Sequence, residues 1–185
     1  SLPAMGILAL LILRKGANMG VKALYVVAAI LFLSLISGRN PEYLIGNHVQ
    51  AAPYIRNSNL EVIPVGYILI DGGKTSSVEY ISNTMPIPAD KPDLAVATCI
   101  ASEMLGHKLI YLEAGSGAVH PVPSELIREV KKSIQIPLIV GGGLNTPEKV
   151  EAAYKAGADV VVVGNAIEKN IMNLELIGRA LKSYQ

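Results

Sequence analysis

The feature that most constrains this chain is a rhythm in its second half. Short strand-length segments at residues 108–113, 137–140 and 159–163, charged only at their ends and apolar between, alternate with helix-length segments. The segment 123–134 sets Leu126, Ile127, Val130 and Ile134 on one helical face. Thr146-Pro147-Glu148 opens another helix and Ala156-Gly157 closes it. A strand that is apolar on both faces must be covered on both faces, which is the condition of a parallel sheet with helices outside it. Upstream, residues 61–70 read as a strand with an interruption, and 92–104 as an Ala-rich helix ending at Gly106. Asn40 is a helix cap with Pro41 at the first helical position, and that helix carries Tyr43, Leu44, Asn47 and His48 toward Ala51. Residues 71–91 hold Gly72, Gly73, Pro86 and Pro88 and read as one long functional loop. A final helix is expected over residues 174–181.

The beginning breaks the rhythm. Residues 6–13, 23–27 and 30–36 all read as strands. Parallel neighbours need a crossover of roughly a dozen residues or more, and none fits between Val27 and Ile30. A complete (β/α)8 barrel takes about 250 residues, with about 200 as a lower bound, whereas this chain has 185. The expectation is therefore an α/β TIM barrel, a single domain over residues 1–185, with crossover helices and loops missing from the first 40 residues.

Composition excludes several classes. Lys and Arg number 16 against 15 Asp and Glu, so there is no basic footprint for nucleic acid. The lone Cys99 rules out an internal disulfide framework, makes a cysteine metal site improbable and fits a reducing cytoplasm. Residues 23–37 carry no charge, but the run falls short of the roughly 20 apolar residues of a membrane span and reads as two buried strands. Ser1-Leu2-Pro3 lacks the basic start of a signal peptide.

Two strand ends carry the chemistry. Ile139-Val140-Gly141-Gly142-Gly143 and Val161-Val162-Val163-Gly164-Asn165 lie one βα unit apart, each ending in glycine. Glycine lets backbone N–H groups approach an anion with no Cβ in the way, and a helix start beyond adds a favourable dipole. The pair matches the phosphate site common after the last two strands of such barrels; the plainer alternative is two tight turns. In Tyr111-Leu112-Glu113-Ala114-Gly115-Ser116-Gly117, strand alternation turns Leu109, Tyr111 and Glu113 inward if Ile110 and Leu112 face the helices. An inward carboxylate at the end of a barrel strand is costly as packing and useful as chemistry. Glu113 can accept from a hydroxyl or take its proton, Tyr111 can donate, and Ser116 and Gly117 can extend the anion cradle. A structural ion pair is the alternative for Glu113. Arg39, at the mouth of the 30–36 strand, and Lys74, beside two glycines, are candidate diphosphate contacts. His120 is a weaker candidate on the same face, His107 reads as structural and His48 as a solvated or packed histidine, and no His, Asp and Glu grouping has metal spacing.

Phe32-Leu33-Ser34-Leu35-Ile36-Ser37-Gly38-Arg39-Asn40-Pro41, Tyr67-Ile68-Leu69-Ile70-Asp71-Gly72-Gly73, the 111–117 segment, Val140-Gly141-Gly142-Gly143 and Val163-Gly164-Asn165 follow in that order. Together they resemble the geranylgeranylglyceryl phosphate synthase family, related to the bacterial PcrB prenyltransferases. The resemblance implies a TIM barrel that joins a prenyl diphosphate, such as geranylgeranyl diphosphate, to the terminal hydroxyl of sn-glycerol 1-phosphate with Mg2+. It implies that residues 111–117 (Tyr111, Leu112, Glu113, Ala114, Gly115, Ser116 and Gly117) with Gly142, Gly143, Gly164 and Asn165 hold glycerol phosphate. An apolar groove would take the isoprenoid tail. A homo-oligomer is implied as well, with transient contact at a membrane surface. The chain departs from the family where the metal is held: Leu10-Leu11-Ile12 leads to Leu13-Arg14-Lys15 with no Asp, and Leu24-Tyr25-Val26-Val27 to Ala28-Ala29-Ile30 with no Gly-Gly-Ser or Gly-Gly-Thr. The Mg2+ ligands are therefore unknown. Were these residues the whole molecule, glycerol phosphate binding with little turnover is expected. The competing functional classes are another phosphate-binding barrel acting on a sugar phosphate, and a catalytically silent barrel.

Overall fold

The computed structural model describes residues 29–58 and 60–164. The expected strands at 6–13 and 23–27, the helix at 174–181 and Asn165 lie outside the described residues. Five strands, β1 (Ala29–Leu35), β2 (Glu61–Leu69), β3 (Leu109–Glu113), β4 (Leu138–Gly141) and β5 (Val160–Val162), form one sheet. Every neighbouring pair is parallel and the order is β1-β2-β3-β4-β5. Parallel strands in simple sequential order are those of a (β/α) barrel, whereas a doubly wound sheet reverses its order partway. The fold is of the TIM-barrel type, and the described residues supply a run of consecutive units. Helices α1 (Asn47–Arg56), α2 (Ser77–Ser82), α3 (Pro92–Met104), α4 (Ser124–Ser133) and α5 (Pro147–Ala156) fill the crossovers.

Strand parity sorts the core into two layers. Ile68, Ile110, Leu112, Leu138 and Val140 face the helices and pack with Cys99, Leu126, Ile127, Val130 and Val150. The opposite parity places Leu31, Val65, Tyr111 and Ile139 together on the inner face, with Leu33, Ile63, Tyr67, Leu109, Val160 and Val162 against them. Ile110, Leu112, Leu138 and Val140 are fully buried, which is why these strands read as continuous apolar runs.

Three local features differ from the sequence expectation. The interruption in residues 61–70 does not break β2: the Pro64 carbonyl accepts the Lys108 N–H at 2.8 Å, and Gly66 leaves the space that the Ser102 hydroxyl fills. The helix after Asn40 begins with a π-helical turn, Glu42–Gly46, before α1. Asn40 Oδ1 still accepts the Glu42 N–H at 3.0 Å, while its amide donates to the Ser82 carbonyl at 2.7 Å, so one side chain serves both as cap and as tie to α2.

The 71–91 segment is not a single loop. Asp71 Oδ1 accepts the Gly73 N–H at 2.8 Å, α2 follows, and Ile70 pairs with Ile87. Ser76 and Glu79 form a reciprocal capping box at the start of α2, and Asn83 ends it in the left-handed region at φ 50. A Ser followed three residues later by Glu is a legible helix start that glycine and proline content masked. Ser76→Ala is expected to cost about 1 kcal/mol, lowering the melting temperature by about 2–4 °C in a chain of this size. Differential scanning calorimetry checks it, and an unchanged melting temperature would mean that α2 does not depend on its cap.

Candidate active site

The C-terminal ends of β2, β3 and β4 meet at Glu113. Side-chain alternation brings Tyr111 and Glu113 to the inner face, as the strand reading expected, and both are buried. Glu113 Oε1 accepts the Gly115 N–H at 2.8 Å, and the Tyr111 hydroxyl donates to the same carboxylate. Burial pushes the Glu113 pKa above its ordinary value, with the bonds from Tyr111 and Gly115 opposing it. The same burial, and then the Glu113 charge, push the Tyr111 phenol up, so it stays a donor at any physiological pH. No cation reaches Glu113 in an ion pair among the described residues, so the structural ion pair is not what holds it there.

Tyr67 joins this pair and was not singled out from the sequence. It is the register partner of Tyr111, and the two rings meet edge to face at 5.2 Å and 73°. Burial, followed by the Glu113 charge, raises its pKa as well. The parity of β2 was the available signal, but only the register shows which residue of β2 stands beside Tyr111.

Gly141 makes the arrangement sterically feasible. A Cβ there would lie 2.6 Å from both Glu113 Oε2 and the Tyr111 hydroxyl. Gly142 and Gly143 turn in the left-handed region at φ 85 and 69, as do Gly115 and Gly117 at 98 and 67. A Cβ on Gly142 would meet Glu113 Oε1 at 2.5 Å and the Ala114 and Gly115 nitrogens at 2.7 Å. Ala114 N–H in turn donates to the Gly141 carbonyl at 3.0 Å, so two glycine turns lie one against the other beside the carboxylate.

The remaining candidates divide. Leu112 and Ala114 point their side chains into the helix layer, leaving only their backbone on the site's side. Ser116 and Gly117 are exposed at the tip of the 113–118 turn. Gly164 is exposed, and a Cβ there meets nothing within 4 Å among the described residues. His120 lies over Gly73, where the Gly72 carbonyl accepts the Val119 and His120 N–H groups at 2.9 and 3.1 Å. His107 bonds through Nδ1 to the Ser102 hydroxyl at 3.0 Å, and His48 packs edge-on against Phe32 at 4.3 Å; both are packing residues, as the sequence suggested.

Arg39 and Lys74 are exposed. Arg39 lines a cleft of about 540 Å³ with Ser37, Asn40, Asn83, Thr84 and Met85, past the C-terminal end of β1. That is the same end of the sheet as Glu113. Among the described residues no three His, Cys, Asp or Glu side chains come together, and the Glu113 carboxylate is engaged by Tyr111 and Gly115. No helix among the described residues is long and apolar enough to cross a membrane.

Comparison with known proteins gives the family. The model of the PcrB family matches residues 8–181. A geranylgeranylglyceryl phosphate synthase of Spirosoma linguale is 55% identical over 142 residues, covering 77% of this chain and 57% of that protein. One from Thermococcus kodakarensis is 48% identical over 141 residues, covering 76% of this chain and 55% of its own length. The chain thus spans little more than half the length of these curated relatives. The crystal structure of (S)-3-O-geranylgeranylglyceryl phosphate synthase from Thermoplasma acidophilum, in complex with substrate sn-glycerol-1-phosphate, superposes with a TM-score of 0.79 at 36% identity, covering 84% of this chain and 63% of that one. With a family model matched over nearly its whole length, and a barrel sheet that carries the expected strand ends, the chain belongs to the PcrB family.

Proposed function

We propose that this protein joins a prenyl group, donated by a prenyl diphosphate such as geranylgeranyl diphosphate, to the terminal hydroxyl of sn-glycerol 1-phosphate. The observation that carries the reading is a buried carboxylate, Glu113, flanked by Tyr111 and by the side-chain-free turns at Gly115 and Gly142. A polyol phosphate needs both halves of that arrangement. Its hydroxyls need an acceptor and a donor, which Glu113 and Tyr111 provide. Its phosphate needs closely approaching backbone N–H groups, which the glycine turns permit. Gly143, Gly164, Asn165, Ser116 and Gly117 complete the phosphate side in this reading.

In the reaction the allylic C–O bond breaks and diphosphate departs with the electron pair. The glycerol oxygen forms the new ether bond to carbon 1, and its proton passes to the Glu113 carboxylate. The raised pKa of Glu113 suits it to accept that proton. Arg39 and Lys74 are exposed and are assigned to the departing diphosphate in this reading, and the cleft beside Arg39 is at the same end of the sheet as Glu113. The family resemblance brings Mg2+ as the expected cofactor, without a ligand set among the described residues. The whole chain, residues 1–185, is taken as one barrel domain, working in the cytoplasm as a homo-oligomer with transient access to a membrane surface for its product.

Isothermal titration calorimetry with sn-glycerol 1-phosphate tests the reading, followed by an assay of radiolabelled prenyl transfer. Saturable binding that glucose 6-phosphate fails to displace is expected. Absence of heat at millimolar ligand, or equal displacement by the sugar phosphate, would remove the support for it.

A further inference from the structure

We propose that Lys149 is a positioning residue for the glycine turn at the end of β4. The inference rests on the phosphate reading of that turn. Lys149 lies in the first turn of α5, where its N–H is held by the capping Thr146 hydroxyl at 3.4 Å. A cation is favoured at the other end of a helix, where the aligned peptide dipoles leave partial negative charge. The usual compensation is a carboxylate partner, and Lys149 has no ion pair among the described residues. Glu148, the acid of that turn, is engaged instead by the Thr146 hydroxyl and by its own backbone.

The Lys149 ammonium reaches back to the turn. It donates to Asn145 Oδ1 at 2.9 Å and to the Gly143 carbonyl at 3.4 Å, and the Asn145 N–H donates to the same carbonyl at 3.0 Å. Gly142 and Gly143 are both left-handed and offer no side chain to hold the turn, while glycine has the widest backbone freedom to lose. The peptide unit is planar, so pinning the Gly143 oxygen also fixes the direction of the Leu144 N–H on its opposite side. Lys149 thus sets the orientation of the peptide groups that receive the anion. A residue that breaks the local charge rule while organising a turn is the pattern expected at a functional site.

The test is calorimetric titration of the full chain with sn-glycerol 1-phosphate for the native protein, Lys149→Met and Lys149→Arg, with melting temperatures measured in parallel. Loss of a charged donor is expected to weaken binding about tenfold in Lys149→Met. Lys149→Arg, which retains charge and donors, is expected to recover most of the affinity, and both variants should melt within about 3 °C of the native protein. Native binding with no change in Lys149→Met overturns this inference alone. So does a Lys149→Arg variant as weak as Lys149→Met, because then charge and donors are not what matters. A large drop in melting temperature that tracks the lost affinity assigns Lys149 a merely structural role. Failure of the native protein to bind overturns the inference together with the phosphate reading, and is distinguished by occurring before any substitution.

Discussion

Glu113→Gln is expected to weaken sn-glycerol 1-phosphate binding by about 10- to 100-fold, the effect of removing a charge-assisted hydrogen bond from a buried site. Prenyl transfer, where measured, should fall further, because the amide cannot accept the proton released by the glycerol hydroxyl. The pH dependence of stability should change as well. Burial raises the Glu113 pKa in the folded protein above its ordinary value of 4.5. Between those two values the native state binds more protons than the unfolded chain, so stability falls as pH rises through the interval. The favourable contribution is complete below pH 4.5 and is lost above the folded pKa. Glu113→Gln removes this dependence. Its melting temperature relative to the native protein should rise as pH is raised above 4.5, as measured by calorimetry. A gap that stays constant with pH would show that the carboxylate is not burdened by desolvation. A loss of affinity joined to a stability gap that moves in favour of the variant as pH rises marks a group retained for chemistry rather than for folding.

Gly142→Val is expected to have the largest effect on the fold around the site. The residue stands at φ 85, a region costly to any L side chain and most so to a β-branched one. Its Cβ would stand 2.7 Å from the Ala114 and Gly115 nitrogens, which are backbone and cannot swing aside. It would also stand 2.5 Å from Glu113 Oε1, displacing the carboxylate from its bond to Gly115. Together these should cost about 3 kcal/mol or more, lowering the melting temperature by about 6–12 °C and abolishing detectable glycerol phosphate binding. Gly142→Ala should retain the fold with a smaller loss. If Gly142→Val melts and binds as the native protein does, the turn is not packed against Glu113 and the site as described does not exist.

Much of this site was legible before the structure. The inward parity of Tyr111 and Glu113 follows from the period of a strand whose other face is Ile110 and Leu112, and the helices confirm that face as the outer one. The glycine-ended strands announced a place where backbone must approach closely. Less was legible between residues 71 and 91, where glycine and proline hid a capped helix. Gly142 and Gly164 looked equivalent as strand-end glycines, yet a Cβ on one meets carboxylate and backbone and on the other meets nothing among the described residues.

What the sequence determined by itself is everything carried by local period and conformational permission. The parallel α/β class follows from apolar runs spaced by amphipathic helices, and the inner or outer parity of each strand from alternation. The positions of the turns follow from glycine. Tertiary structure decided what depends on register and on contact between distant segments. It set Tyr67 beside Tyr111, made Gly141 the gap that admits Glu113 and Tyr111, and brought the Lys149 ammonium back to the Gly143 carbonyl. Those relations join residues on different strands or turns, and no local pattern encodes how one element slides along or folds onto another. Only the packed sheet fixes which side chains share a few ångströms of space, and therefore which of them can act on one ligand.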